Sequence, residues 1–220
     1  DTDIAAVGGP GITPLTDGLR QKASGWVFSS RIGSGANNFR NTPGHQMEID
    51  DCPSCNFIIR KSVFQQLGGF DTHFWPGEDT KLCLEVTKKL RKKIIYDPEV
   101  LVYHHRRKLF KPHLKQVWSY AFHRGYFVKK LPQTSRRLLY FFPSIFLLSI
   151  IFGVIASFLN PVLAFVFLSI LAIYLLLILL TSLKSKNINM VPLIFLGIVA
   201  THLTYGTGFL KGLLSKDIVR

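Results

Sequence analysis

In Gly68-Gly69-Phe70-Asp71-Thr72-His73-Phe74-Trp75-Pro76-Gly77-Glu78-Asp79-Thr80-Lys81-Leu82-Cys83, two adjacent glycines permit a tight turn and Gly77 releases the chain into an acidic pair. After Asp79 the apolar residues Leu82, Val86 and Leu90 recur at i, i+4 and i+8, which predicts a helix starting at the acidic pair with lysines on its outer face. A carboxylate at a helix mouth is a sensible place for a general base. The same pair also serves as an ordinary helix cap, because acidic residues are favoured at helix N-termini.

The segments around this stretch set its context. Ala5-Ala6-Val7 reads as a strand that turns at Gly8-Gly9-Pro10-Gly11, and Asn56 to Ile59 as a short buried strand. Ser62-Val63-Phe64-Gln65 has the form of a capping box, predicting a short helix from Ser62 that stops at Gly68. Ile94-Ile95-Tyr96 and Val100 to Tyr103 are strand-like runs flanking the Asp97-Pro98 turn, and the second delivers His104 and His105 to a strand end. From Thr13 to Glu48 there is little periodicity, with loop signals at Gly33 to Asn38 and Thr42-Pro43-Gly44. Asp50-Asp51 reads either as an exposed turn or as part of a pocket lining. The three cysteines, Cys52, Cys55 and Cys83, do not make a disulfide framework or a full zinc site and are read as buried thiols.

In order and spacing, Asn56-Phe57-Ile58-Ile59-Arg60-Lys61, a short helix, Gly-Gly-Phe-Asp, Gly-Glu-Asp and Val102-Tyr103-His104-His105 resemble the second half of family 2 glycosyltransferases. The resemblance runs from Ala5 to about Tyr126. It implies an α/β fold, the C-terminal part of a GT-A (nucleotide-diphospho-sugar transferase-like) domain, followed by transmembrane helices. It implies transfer of a glycosyl group, with inversion, from a nucleotide-sugar donor to a lipid-linked or glycan acceptor, with Asp79 as catalytic base and Glu78 beside it. Asn56, Asp71, Trp75, Arg106 and Arg124 become candidate substrate contacts, and His104 a candidate metal or diphosphate contact.

The cofactor so implied is a divalent cation, Mg or Mn. Its aspartates belong to the family's earlier, nucleotide-binding half, which is expected to lie outside this chain; Asp1-Thr2-Asp3 is not that motif, since no apolar strand leads into it. This part is therefore expected to be inactive by itself. The Gln-x-x-Arg-Trp motif of processive members is replaced here by Gln116-Val117-Trp118-Ser119-Tyr120, which argues against long-polymer synthesis.

Composition divides the chain. The polar part, 1–109, is expected to be the partial GT-A catalytic domain that the resemblance implies, and 110–137 reads as a basic, amphipathic helix and linker suited to the headgroup layer or to packing on the polar part. Residues 138–214 are dominated by apolar runs. The runs 138–159 and 161–183 each supply the ~20 uncharged residues needed to cross a bilayer and are joined tightly at Asn160-Pro161. The run 191–214 contains His202 and Lys211 and either spans or lies partly in the interface. The formal net charge of +14 fits membrane lipids and phosphorylated substrates, because basic residues gather at Arg106 to Lys115 and Lys129 to Arg137, the latter just before an apolar run, while Lys88 to Lys93 reads as a solvated, charged face. A nucleic-acid partner is not needed to explain it. The reading is of a multi-pass cell-membrane protein with its catalytic part in the cytoplasm; a non-catalytic membrane scaffold is the rival.

Basic residues flank both outer ends of the 138–183 hairpin and none lies at its tip, so both ends should face the cytoplasm. An Asn160→Cys variant should then react with an impermeant maleimide in intact cells, and reaction only after permeabilisation would invert the topology.

Overall fold

The computed structural model of the chain describes residues 3–218. Asp1 and Thr2 of the rejected Asp-x-Asp stretch lie outside the described residues. The fold is mixed: a small sheet with short helices is followed by three long apolar helices. Strands β1 (Ile4–Gly8), β2 (Gly11–Ile12), β3 (Met47–Ile49), β4 (Phe57–Ile59), β5 (Lys93–Tyr96) and β6 (Val102–Tyr103) form two sheets. The larger has the order β3-β5-β1-β4, with β1 and β5 parallel and both outer strands antiparallel to their neighbours. β2 and β6 pair in parallel, Gly11 opposite Val102 and Ile12 opposite Tyr103. Ala5, Ala6, Ile49, Val63, Val86, Ile94 and Tyr96 form the core packed around the larger sheet.

The helices are α1 (Leu19–Ser29), α2 (Arg31–Ser34), α3 (Lys61–Gln66), α4 (Glu78–Leu84), α5 (Lys111–Lys130), α6 (Pro132–Ser135), α7 (Leu138–Leu159), α8 (Pro161–Leu183) and α9 (Val191–Leu214). α7, α8 and α9 are each long and apolar enough to cross a membrane, so this is a membrane protein. Asn160 caps α8, its Oδ1 accepting from the Val162 N–H at 2.7 Å, and closes the α7–α8 hairpin at the expected place.

Several local expectations are corrected. The stretch 13–48 is largely structured: it holds α1, α2, a 3₁₀ segment at Gly35–Arg40 and the start of β3. α1 escaped notice because the residues it buries are small, Ala23, Ser24, Gly25 and Val27, and its N-cap is Gly18. α3 begins one residue before Ser62, with Arg60 as N-cap and no capping side chain. The reason is tertiary: the Arg60 N–H still bonds to the Ala5 carbonyl, so the sheet hands the chain to the helix at that residue. β4 is an edge strand and not a buried one, with Ile58 64% exposed. β6 is shortened because turn bonds from Val100 and Leu101 back to Asp97 and Glu99 hold the residues before it. The helix after Asp79 loosens into a π turn at Glu85–Lys89, which leaves Leu90 half-buried while Leu82 and Val86 are in the interior. Of the cysteines, Cys52 and Cys83 are buried as expected and Cys55 is exposed.

Gly68 and Gly69, at φ of 81° and 82°, make the turn after α3 that their pairing predicted. Farther on, α5 packs along α9, and α1 packs on α8 and α9 through Ala23, Val27, Leu109, Ile178, Ile194 and Ile198. His113 of α5 is fully buried at this junction. Its Nδ1 pairs with Ser24 Oγ at 2.8 Å and its Nε2 with Thr201 Oγ1 at 2.9 Å, joining three helices through one ring.

Burial pushes the His113 pKa down from 6.5 to about 4, so the folded chain keeps the ring neutral while the unfolded chain protonates it below pH 6.5. The stability this ring contributes is whole above pH 6.5 and should be lost as pH falls from 6.5 to 4, by on the order of 3 kcal/mol. Denaturant unfolding in detergent across that window should show the slope, and His113→Gln should flatten it.

Candidate functional site

A cavity of about 410 Å³ opens where the polar part meets the bases of the apolar helices. Its walls are the mouth of α4, the Asp51–Cys55 loop, the segment after β6, one face of α5, and residues of α7 and α9. Gly77 lets these parts close together, since a Cβ there would lie 2.4 Å from the Phe127 ring of α5. Glu78 and Asp79 then open α4, as the sequence predicted, and their carboxylates satisfy backbone donors at the helix start. The Gly77 N–H donates to Glu78 Oε2 at 2.8 Å, the Thr80 N–H to Asp79 Oδ1 at 2.7 Å and the Ser54 N–H to Asp79 Oδ2 at 3.1 Å.

Behind Asp79 lies a buried charge cluster. Asp51 Oδ2 accepts from Arg124 Nη2 at 2.9 Å and pairs with Arg40 Nη2 at 3.3 Å, while Asp51 Oδ1 accepts from Thr80 Oγ1 at 3.0 Å. The Arg124 guanidinium also lies 4.7 Å from the centre of the Tyr140 ring of α7. Burial alone would raise the Asp51 pKa, but Arg124 and Arg40 outweigh it and hold that carboxyl well below the ordinary range. Asp79 goes the other way: burial first, and the Asp51 charge second, push its pKa up against the two backbone N–H groups it accepts from. Two carboxylates in one site are thus driven apart, one locked as an ion and one more basic than a free aspartate.

The opposite wall comes from the segment after β6. The His104 N–H bonds to the Ile12 carbonyl at 2.8 Å, an extension of the β2–β6 pairing. Its Nδ1 is buried with no hydrogen-bond partner among the described residues. Burial, then Arg106 and His105, lower the His104 pKa and favour the neutral ring. Arg106 is held by Thr13 Oγ1 at 3.2 Å and by the Gly11 carbonyl, and Gln21 Nε2 donates to its own carbonyl at 3.0 Å. His105 points away and pairs with the buried carboxylate of Asp17.

Of the residues singled out in the sequence, Glu78, Asp79, His104, Arg106 and Arg124 line this one cavity. Asn56, Asp71 and Trp75 do not. Asn56 is a buried staple, its Nδ2 donating to the carbonyls of Val100 at 2.7 Å and Pro10 at 3.3 Å. Asp71 caps the short turn Thr72–Phe74, and Trp75 is 62% exposed outside the cavity. Asp51 turns out to line the pocket rather than an exposed turn, whereas Arg40 had no local signal at all. Tyr140, Thr201 and Tyr205 were missed, though polar side chains inside apolar runs are a recognisable mark.

Among the described residues, no three His, Cys, Asp or Glu side chains converge to hold a metal ion. Two imidazole nitrogens that line the cavity, His104 Nδ1 and His123 Nε2, are buried without a partner among the described residues, so a divalent cation held by either would need further ligands. The chain matches no known family model, no curated protein and no solved structure.

Removing the Asp51 charge would leave two guanidinium groups facing each other in the interior. Asp51→Asn should therefore cost roughly 3–5 kcal/mol of stability, against about 1 kcal/mol for Thr80→Val, which loses one hydrogen bond. Chemical unfolding of the three proteins in the same detergent would measure the difference.

Proposed function

We propose that this chain carries the acceptor side of an inverting, membrane-associated glycosyltransferase of GT-A type, with Asp79 as the general base. The observation that carries the reading is the pair of opposed carboxylates. Asp79 opens a helix at the cavity wall, and burial together with Asp51 makes it the better proton acceptor of the two. In the reaction the acceptor hydroxyl gives its proton to an Asp79 oxygen as its own oxygen bonds to the anomeric carbon. The bond from that carbon to the diphosphate breaks on the opposite side, and the nucleoside diphosphate leaves.

Arg106, fixed by Thr13 and Gly11, supplies positive charge for the leaving diphosphate, and the unpartnered Nδ1 of His104 is available as an N–H donor to a diphosphate oxygen or, without its proton, to a cation. A cation, when bound, would neutralise diphosphate charge. Glu78, engaged by the Gly77 N–H, tunes its neighbour. The acceptor is lipid-linked or a membrane-surface glycan; in support, the cavity floor is built from Tyr140, Thr201 and Tyr205 of the apolar helices.

The Asp79→Asn substitution separates base from cap, because Asn and Asp cap helices about equally well. In the protein as expressed in its own membrane, turnover should fall roughly 10²- to 10⁴-fold with donor binding retained, and Glu78→Gln should cost less. The acid limb of the pH–rate profile should lie above the ~3.9 of a free aspartate. Near-normal transfer by Asp79→Asn would remove Asp79 from the mechanism and put the scaffold reading ahead.

A further inference from the structure

α9 has 24 residues, or about 36 Å of helix, enough to cross a bilayer. Its contacts are not those of a third span. Along α7 it meets Tyr140, Phe141, Pro143, Ser144, Phe146 and Leu147. That interval rises only about 10 Å, the width of one helix. On α8 it meets Tyr174 and Ile178. The buried residues of the hairpin are Tyr140 and Ser144 in α7 and Ile178 and Ser182 in α8, all at the base. Every residue between Ser144 and Ile178 is half-buried or exposed. α9 thus crosses the foot of the hairpin and does not run beside it.

Its long contact is with α5. Leu109, just before α5, packs at Gly197, His113 at Thr201, Ala121 at Gly208 and Phe122 at Gly212, so the two helices run side by side in the same direction. The seam is close: a Cβ on Gly212 would lie 1.9 Å from the Phe122 carbonyl oxygen, and one on Gly125 2.1 Å from that of Phe209. α5 carries Gln116, His123 and Arg124 between its terminal lysines and is not among the described helices long and apolar enough to cross a membrane, so it cannot follow a spanning partner through hydrocarbon. Both ends of α9 also pack on elements outside the hairpin. Met190 and Ile194 pack with Ala23 and Val27 of α1, and beyond the far end Ile218 packs on Tyr126, Phe127 and Leu131 at the end of α5, the cluster that Phe74 and Leu84 also cover. Lys129 Nζ, near the end of α5, donates to the Ser215 carbonyl just past α9.

We propose that α9 does not cross the membrane but lies in the plane of the bilayer interface, so that the α7–α8 hairpin is the only spanning unit among the described residues. Its uncovered stripe, with Leu196, Thr207 and Leu214 exposed, rests in the boundary between headgroups and acyl chains. α5 lies on the other side of it, with lysines placed to meet anionic headgroups. Tyr140, Thr201 and Tyr205 then put the cavity floor at headgroup depth, whichever reaction the cavity serves.

Spin labels at Leu196→Cys, Thr207→Cys and Leu214→Cys, each in a Cys55→Ser background that leaves only the buried Cys52 and Cys83, would report depth in lipid vesicles by collision with oxygen and a nickel chelate. The three labels should share one shallow depth, within about 5 Å of each other, as for an interfacial helix. Labels at Leu163→Cys and Leu176→Cys on α8, in the same background, verify insertion by their separation in depth. A Thr207 label near the bilayer centre with Leu196 and Leu214 toward opposite surfaces, spread over about 27 Å of helix, would make α9 a span and overturn the proposal.

Discussion

One carboxylate, that of Asp51, holds the molecule's two halves in register. It takes a guanidinium from Arg124 on α5, another from Arg40 at the end of the 3₁₀ segment, and the hydroxyl of Thr80 in α4. Burying an isolated charge is prohibitively unfavourable, so the surroundings must supply partners on every side. Here they come from three distant parts of the chain. Because those partners are the walls of the cavity, satisfying Asp51 also builds the pocket. The cluster carries one surplus positive charge, which suits an acidic ligand or the nearby Asp79. It adds little to stability compared with a well-packed apolar core; its effect is to make one arrangement of α4, α5 and the Asp51 loop much better than the alternatives.

The contact between the polar part and the apolar helices follows a different rule. α1 and α5 offer inner surfaces that are small, Ala23 and Ser24 on α1 and Ala121 and Gly125 on α5, and α9 answers with Gly197, Thr201, Gly208 and Gly212. Small residues let the backbones approach closely, where dispersion contacts and short hydrogen bonds such as those of His113 become available. Polar groups inside the apolar region find partners there: Ser144 Oγ donates to the Gly206 carbonyl, and His202 lies between Tyr174 and the Ile32 carbonyl. An apolar helix with this many polar partners is built for a protein face on one side and lipid on the other.

The rival scaffold reading keeps one observation in its favour: both Asp79 oxygens already accept backbone N–H groups, which is what a capping residue does. A cap does not require a neighbouring carboxylate locked in its ionised form, nor a free imidazole nitrogen across a cavity. The convergence of Asp79, Asp51, His104 and Arg106 on one space weighs toward chemistry.

Local signals determined a good deal. Glu78 and Asp79 were legible as a helix start because Gly77 precedes them and the Leu82 and Val86 stripe follows, and the Asn160-Pro161 hairpin because a polar capping residue interrupts two uniform apolar runs. The turn at Gly68 and Gly69 and the strands β1 and β5 were legible for the same reason: backbone geometry and side-chain period are written in neighbouring residues. α1 and the capping of α3 were not, because the first buries small residues and the second is set by a sheet bond from Arg60 to Ala5. The pairing of Asp51 with Arg40 and Arg124, 11 and 73 residues away, belonged wholly to the tertiary structure. So did the orientation of α9. Its composition states that it prefers an apolar environment, but whether that environment lies along the hairpin or across its foot depends on which backbones its glycines allow to approach, and only packing decides that.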